Sequence, residues 1–347
     1  MRAVSLTAFG EPYAIRDDAP VPEPGAGEVR LRVLAVGVCG TDVKLWKGVL
    51  PNTPLPLVPG HEIAAVVDAH GSGVEAPALG SRVVVLHHLF CGECARCRQG
   101  SQNLCLNLRG RIGFDHDGGM ADYVVVPARN LAPIPDGVSA AEACVVPDAV
   151  ATTWRAVVRL AQVQPGDTVA VIGAGGLGLS ACQIARLHGA EVLAIDVSQD
   201  KLGLAAAVGV TRLALPAEAV ARARELPGGS ASIVIDCAGA PAALALAADL
   251  LQSGGRLIQV GYTPGTPLAL QSADVALKEL RVIGCRASTM QDLLDSLDAV
   301  GSGAVRAPVE TVLPLGAATE AIAAMADGAT LGRQVLQVAA ETQARAA

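Results

Sequence analysis

The rhythm of apolar and polar positions changes near residue 150. Before it, apolar runs are short. Val29–Val36, Ile63–Val67 and Arg82–Val85 are each bounded by Pro and Gly, a pattern that predicts strands and turns. After it, strand-type and helix-type stretches alternate. Thr168–Ile172 reads as a strand, Leu179–Leu187 as a helix, Glu191–Ile195 as a strand and Lys201–Val208 as a helix. Ile233–Ile235, Arg256–Val260 and Leu280–Gly284 read as further strands, with a helix at Ala242–Leu251. Such alternation predicts βαβ units on a parallel sheet. Helices are expected again at Met290–Val300 and Ala317–Ala326, short strands at Val309–Leu313 and Gln334–Val338, and a frayed tail at Glu341–Ala347.

The expected fold class is therefore α/β, with one domain inserted in another. A doubly wound parallel-sheet domain of the Rossmann type covers 150–288. A β-rich catalytic domain covers 1–149 and resumes at 289–347. A chain of 347 residues suits two domains. Aromatics are only 2% against 51% hydrophobic residues, so Ala, Val and Leu must fill the cores.

A net charge of −7 with no basic stripe argues against nucleic acid as a partner. The first twenty residues carry Glu11, Asp17 and Asp18 and no apolar core, so no secretory signal is expected. Val169–Ala185 is apolar, but it is short for a membrane span and broken by glycines. A soluble cytoplasmic protein is the expectation. Nine cysteines, four of them clustered, point to metal plus free thiols rather than disulfides.

Gly173-Ala174-Gly175-Gly176-Leu177-Gly178 fits GxGxxG, follows a strand and opens a helix, the context in which that pattern binds a dinucleotide. Gly173 permits the turn, Gly175 lets the backbone approach a pyrophosphate, and Gly178 lets helix and strand pack closely. The first turn of the helix, Gly176 and Leu177 included, offers N–H groups to phosphate. Asp196 ends the next strand about 20 residues on, where an acid binds the ribose hydroxyls and repels a 2′-phosphate. NAD is therefore expected rather than NADP, with Lys201 the nearest cation.

Cys91-x2-Cys94-x2-Cys97-x7-Cys105 supplies four thiolates on one short loop, enough to close a tetrahedral zinc shell with no open position. That zinc should be structural, in a lobe at about 91–105. A catalytic zinc needs about three protein ligands and one open position. Cys39 in Gly37-Val38-Cys39-Gly40-Thr41-Asp42 and His61 in Gly60-His61-Glu62 are candidates, although each alone also reads as a core residue.

Taken in order, Cys39-Gly-Thr-Asp, Gly60-His61-Glu62, the four-cysteine lobe and the Gly173 fingerprint resemble the zinc-containing medium-chain alcohol dehydrogenase family over residues 1 to 338. The resemblance implies a GroES-like catalytic domain, two zincs per chain, NAD, and a small-molecule alcohol or ketone substrate. It also implies a homodimer or homotetramer, joined through the edge strand Leu280–Gly284. The third ligand of the catalytic zinc then falls on Asp148, with Cys144 its competitor. This is the Cys/His/Asp branch, in which secondary alcohols are common substrates. Glu62 is implied near the metal, as a transient ligand or an orienting group. Thr41 is implied as the hydroxyl that takes the alcohol's proton. Lys44 stands where many relatives end that relay with His, a departure that leaves its role open between cofactor ribose, an anionic substrate group and solvent. His87, four residues before Cys91, falls on a pocket position that is usually apolar. Trp46 and Trp154 are further pocket candidates, each also readable as core packing. Arg333 matches a position that contacts the cofactor pyrophosphate. Three rivals stand beside this reading: a zinc-free reductase, a polyol or sugar dehydrogenase, and an NAD-binding protein without turnover.

Overall fold

The computed structural model describes residues 1–50 and 52–340, so the tail expected to fray lies outside the described residues. The chain divides into two compact units. One comprises residues 1–148, 288–301 and 309–347, and the other residues 149–287 and 302–308. The segment 302–308 corrects the expected division, which left it with the catalytic domain. Gln183 explains the difference: its amide accepts from Arg306 N (2.8 Å) and donates to Arg306 O (3.1 Å), stitching the segment to the second unit.

The first unit is built on a seven-stranded sheet whose centre is the eleven-residue strand Glu28–Val38. One half of this strand pairs with Tyr123–Pro127 and the other with Arg333–Gln337, both antiparallel. Along its opposite edge runs Glu62–His70, with register shifts after Arg30 and Val33 that bend the ladder. Side chains of Val29, Leu31, Val33, Val36 and Val38 are buried with Ile63, Ala65, Val67, Val83 and Val85 in one core, made of small apolar residues as the composition required.

The second unit holds six parallel strands. Across the sheet they run Arg212–Ala214, Glu191–Ile195, Thr168–Ile172, Ala231–Asp236, Leu251–Gln259 and Arg281–Gly284. In chain order this reads 3-2-1-4-5-6, the Rossmann arrangement. The apolar stretch 169–185 resolves into the strand Thr168–Ile172, a glycine turn and the helix Gly176–Leu187. Among the described residues no helix is long and apolar enough to cross a membrane.

Candidate metal and cofactor sites

The central strand ends at Val38, and Cys39 then caps the helix Gly40–Trp46. Its Sγ accepts from Thr41 N at 3.2 Å, and Asp42 returns a carboxylate oxygen to Cys39 N at 2.8 Å. This is a capping box with Cys in place of Ser or Thr. Asp42 is fully buried, and its other oxygen lies 3.3 Å from Nδ1 of His61. His61 Nε2 is then the nitrogen turned toward Asp148, 4.0 Å from its Oδ2. Asp148 projects from a π-helical stretch, Val146–Val150, the kind of wide turn often found at functional sites. Glu62 pairs with Gly37 across the sheet, and a Cβ on Gly37 would fall 2.0 Å from Glu62 Oε2. Only glycine leaves room for that carboxylate.

Cys39, His61, Glu62 and Asp148 each bring a ligand atom to within 4.8 Å of the others. Zinc bonds of about 2.0–2.3 Å place tetrahedral ligand atoms roughly 3.3–3.8 Å apart, so the group fits a zinc after small adjustment. Cys144 stands outside it: fully buried, its thiol donates to Ala141 O at 3.2 Å.

Arg333 is buried, and its guanidinium lies 2.8 Å from Asp148 Oδ2 and 3.1 Å from Glu62 Oε1. A buried guanidinium must be paired, and the buried Glu62 and partly buried Asp148 carboxylates pair it. They share it unequally. Burial pushes the Glu62 carboxyl up to about 8, and the neighbouring Asp148 charge adds to the rise against the pull of Arg333. Burial also opposes charge on Asp148, but His61 and Arg333 hold its carboxyl well below the usual range.

His87 is buried, 5% exposed. Its ring meets His61 edge-on at 5.3 Å and His88 at 4.4 Å, and its Nδ1 is buried without a hydrogen-bond partner. Burial and the neighbouring His88 hold its pKa well below the usual value. Phe114 packs on His61 at 4.6 Å, a contact the sequence did not signal. Lys44 is half-buried on the same helix as Thr41. Burial lowers its pKa, while the charges of Cys39 and Asp148 work the other way.

Each tryptophan packs within its own unit. Trp46 packs on the first core, and its indole N–H donates to Glu11 O at 2.7 Å. Trp154 meets His188 edge-on at 5.7 Å, just beyond the C-terminal end of helix Gly176–Leu187 and so about 18 Å of helix from the glycine turn.

The four lobe cysteines also converge. Their Sγ atoms lie 3.5 Å (Cys91–Cys105), 3.9 Å (Cys91–Cys97) and 3.9 Å (Cys94–Cys105) apart. Zn–S bonds of about 2.3 Å require roughly 3.8 Å between sulfurs, so the lobe fits a closed zinc shell. In the second unit, Gly173 has φ +92°, and a Cβ on Gly178 would fall 1.7 Å from Gly173 O. Gly175 faces open space at the start of the helix, where the first amides have no intrahelical acceptor. Asp196 lies beside this turn, accepting from Ala174 N (2.7 Å) and Ser198 N (2.9 Å). Lys201 is on the following helix, whose cap is Ser198.

A chain that carries both a Rossmann unit and a β-rich unit with one closed and one mixed-ligand metal group defines a zinc- and dinucleotide-dependent oxidoreductase. The sequence matches the description "Alcohol dehydrogenase GroES-like domain" over residues 25–136 and "Zinc-binding dehydrogenase" over 176–301. It is 33% identical to an alcohol dehydrogenase of Geobacillus stearothermophilus, over 97% of this chain and all of the relative. An L-galactonate-5-dehydrogenase of Escherichia coli is 34% identical over 78% of this chain and 79% of its own. The solved structure of an NAD-dependent alcohol dehydrogenase, 38% identical, superposes with TM-score 0.90 over 98% of this chain and 100% of that one. The chain belongs to the zinc-dependent medium-chain alcohol dehydrogenase family, with two zincs and NAD as its cofactors.

Proposed function

We propose that this alcohol dehydrogenase interconverts a secondary alcohol and its ketone, with Cys39, His61 and Asp148 as catalytic-zinc ligands. The observation that carries the reading is the convergence of those three with Glu62 within 4.8 Å, Cys144 being left out. A zinc held there would supply a Lewis acid to the alcohol or ketone oxygen, and NAD would supply the hydride acceptor. Thr41 takes the alcohol's proton as it gives up its own hydroxyl proton, and the half-buried Lys44, one helical turn further on, takes that proton after releasing one to solvent. Glu62, held by Arg333, orients the ligand group. Gly173–Gly178 and Asp196 bind the dinucleotide. None of the nine cysteines is in a disulfide, which fits a reducing cytoplasm. The exposed edge strand Arg281–Gly284 fits pairing with a second copy in a homodimer or homotetramer.

A second reading, a polyol or other hydroxylated substrate, is favoured by one observation. His87 places a polar ring with a free nitrogen beside His61, where an apolar wall would suit a plain ketone. Loss of NADH absorbance against a panel of plain, cyclic, aromatic and hydroxylated ketones separates the two. Turnover of plain ketones supports the first reading, and turnover confined to hydroxylated ones supports the second. Silence across the panel, with zinc and NADH both bound, would sink both and favour an NAD-binding protein without turnover.

A further inference from the structure

Asp236 ends the fourth strand of the parallel sheet, and its side chain is fully buried. One carboxylate oxygen accepts from Ala238 N (2.9 Å) and Gly239 N (3.0 Å). The other accepts from Gln259 Nε2 at 2.7 Å, and the same nitrogen donates to Gly261 O at 2.6 Å. Main-chain bonds from Val260 N (2.9 Å) and Gly261 N (2.8 Å) reach Asp236 O, and Thr263 Oγ1 donates to Gly239 O at 3.1 Å. One buried carboxylate thus ties together two loops, 237–240 and 260–263. The loops touch backbone to backbone: a Cβ on Gly239 would fall 2.3 Å from Tyr262 N, and one on Gly261 would fall 2.5 Å from Cys237 O. The first loop also abuts the glycine turn, since a Cβ on Gly173 would meet Ala238 N at 3.1 Å.

The position of the clamp gives it a role. Strand order reverses between Thr168–Ile172 and Ala231–Asp236, and a dinucleotide lies across the carboxyl ends at such a switch point. The glycine turn and Asp196 take the pyrophosphate and adenosine ribose on one side of the switch. The other half of the dinucleotide must then run over the two clamped loops. We propose that Asp236, acting through Gln259, is a positioning residue for the nicotinamide half of NAD, an inference that rests on the NAD-dependent reading.

Asp236→Asn tests it with little change of volume. Asn keeps one oxygen for the two loop amides and turns an NH2 toward the NH2 of Gln259. Flipping Gln259 relieves that clash but sets its oxygen against Gly261 O, so no arrangement satisfies both loops. Thr263→Val is a milder variant, because Thr263 is exposed and only its bond to Gly239 is lost. Calorimetric titration of the zinc-loaded protein with NADH and with ADP-ribose, which lacks the nicotinamide, reads the effect. D236N should weaken NADH about tenfold or more and ADP-ribose by less than about twofold, with T263V moving NADH about two- to fivefold in the same direction. Equal losses for both ligands, or unchanged NADH affinity in a folded D236N of lowered Tm, would overturn the proposal. If D236N does not fold, unchanged NADH affinity in T263V overturns it. Failure of the unaltered protein to bind ADP-ribose would instead refute the NAD reading on which the proposal stands.

Discussion

Asp42→Asn separates a residue that shapes the metal site from the ligands themselves. Asp42 has two partners, Cys39 N at 2.8 Å and His61 Nδ1 at 3.3 Å, and is fully buried. For His61 to ligate through Nε2, the nitrogen facing Asp148, its Nδ1 must carry the proton and donate it to Asp42. Asn has one acceptor. The shorter bond to Cys39 N claims that oxygen, and the NH2 then faces Nδ1. Imidazole responds by moving its proton to Nε2, where a metal would sit. With a metal on Nε2 the Nδ1 proton would instead face that NH2 unpaired, which weakens the metal-bound state by about 1–3 kcal/mol. Loss of a carboxylate behind a metal-bound His typically costs about 10–100-fold in metal affinity. The helix cap is retained, so Tm should fall little. Zinc per chain, measured by mass spectrometry after timed dialysis against a chelator, should drop toward one in D42N while the unaltered protein still holds two. Two zincs in D42N, retained for as long as in the unaltered protein, would refute the argument.

In zinc-stripped protein, the backbone N–H groups of Cys97 and Leu106 bring the Cys94 thiol down to about 6, while burial pushes Cys97 up to about 12. The thiolate of Cys94 is thus present above pH 6 and lost as pH falls through it. Iodoacetamide mapping should find Cys94 labelled first at pH 7 and Cys97 last, with an unchanged Cys94 rate between pH 8 and 7. Asn130→Leu removes a buried amide that donates to Leu86 O (2.6 Å) and His88 O (2.7 Å) on either side of His87. Leu86 O and His88 O each lose this buried donor, so urea unfolding should show a loss of about 1–3 kcal/mol. Asp196→Ala frees Ala174 N and Ser198 N as well as removing the ribose acid. Fluorescence titration should show NADH about tenfold weaker or worse and NADPH less affected, so the preference between them narrows. His87→Phe should raise kcat/KM for plain relative to hydroxylated ketones by about tenfold, and an unchanged ratio would remove His87 from substrate recognition.

The regular elements were legible wherever a local pattern decides them. Thr168–Ile172, Glu191–Ile195 and Arg82–Val85 stand where their apolar runs put them, and helix Gly176–Leu187 starts earlier than read because its first turn is the glycine motif itself. Arg212–Ala214 was missed because three residues carry no period. The π-helical stretch at Asp148 has no sequence signature, although the residue itself was reached by position. Asp42 did leave a signal. An acid three residues after an N-cap is the capping-box spacing, hidden here because the cap is Cys rather than Ser or Thr.

Arg333 shows why the rest was not legible. Its partners Glu62 and Asp148 lie 271 and 185 residues away in sequence, and only the fold brings them together. Arg333 opens the strand that pairs with the end of Glu28–Val38, and Glu62 opens the strand on the other side of that same end. Three neighbouring strand ends therefore converge on one buried spot, and Gly37 between them makes the room. Two carboxylates held there need compensating positive charge, which a motif scan along the chain does not see. The same argument separates the two metal groups. The lobe cysteines lie within fifteen consecutive residues and were readable from spacing alone. The Cys39 group draws its side chains from three distant stretches, so its geometry is a property of the fold rather than of any motif.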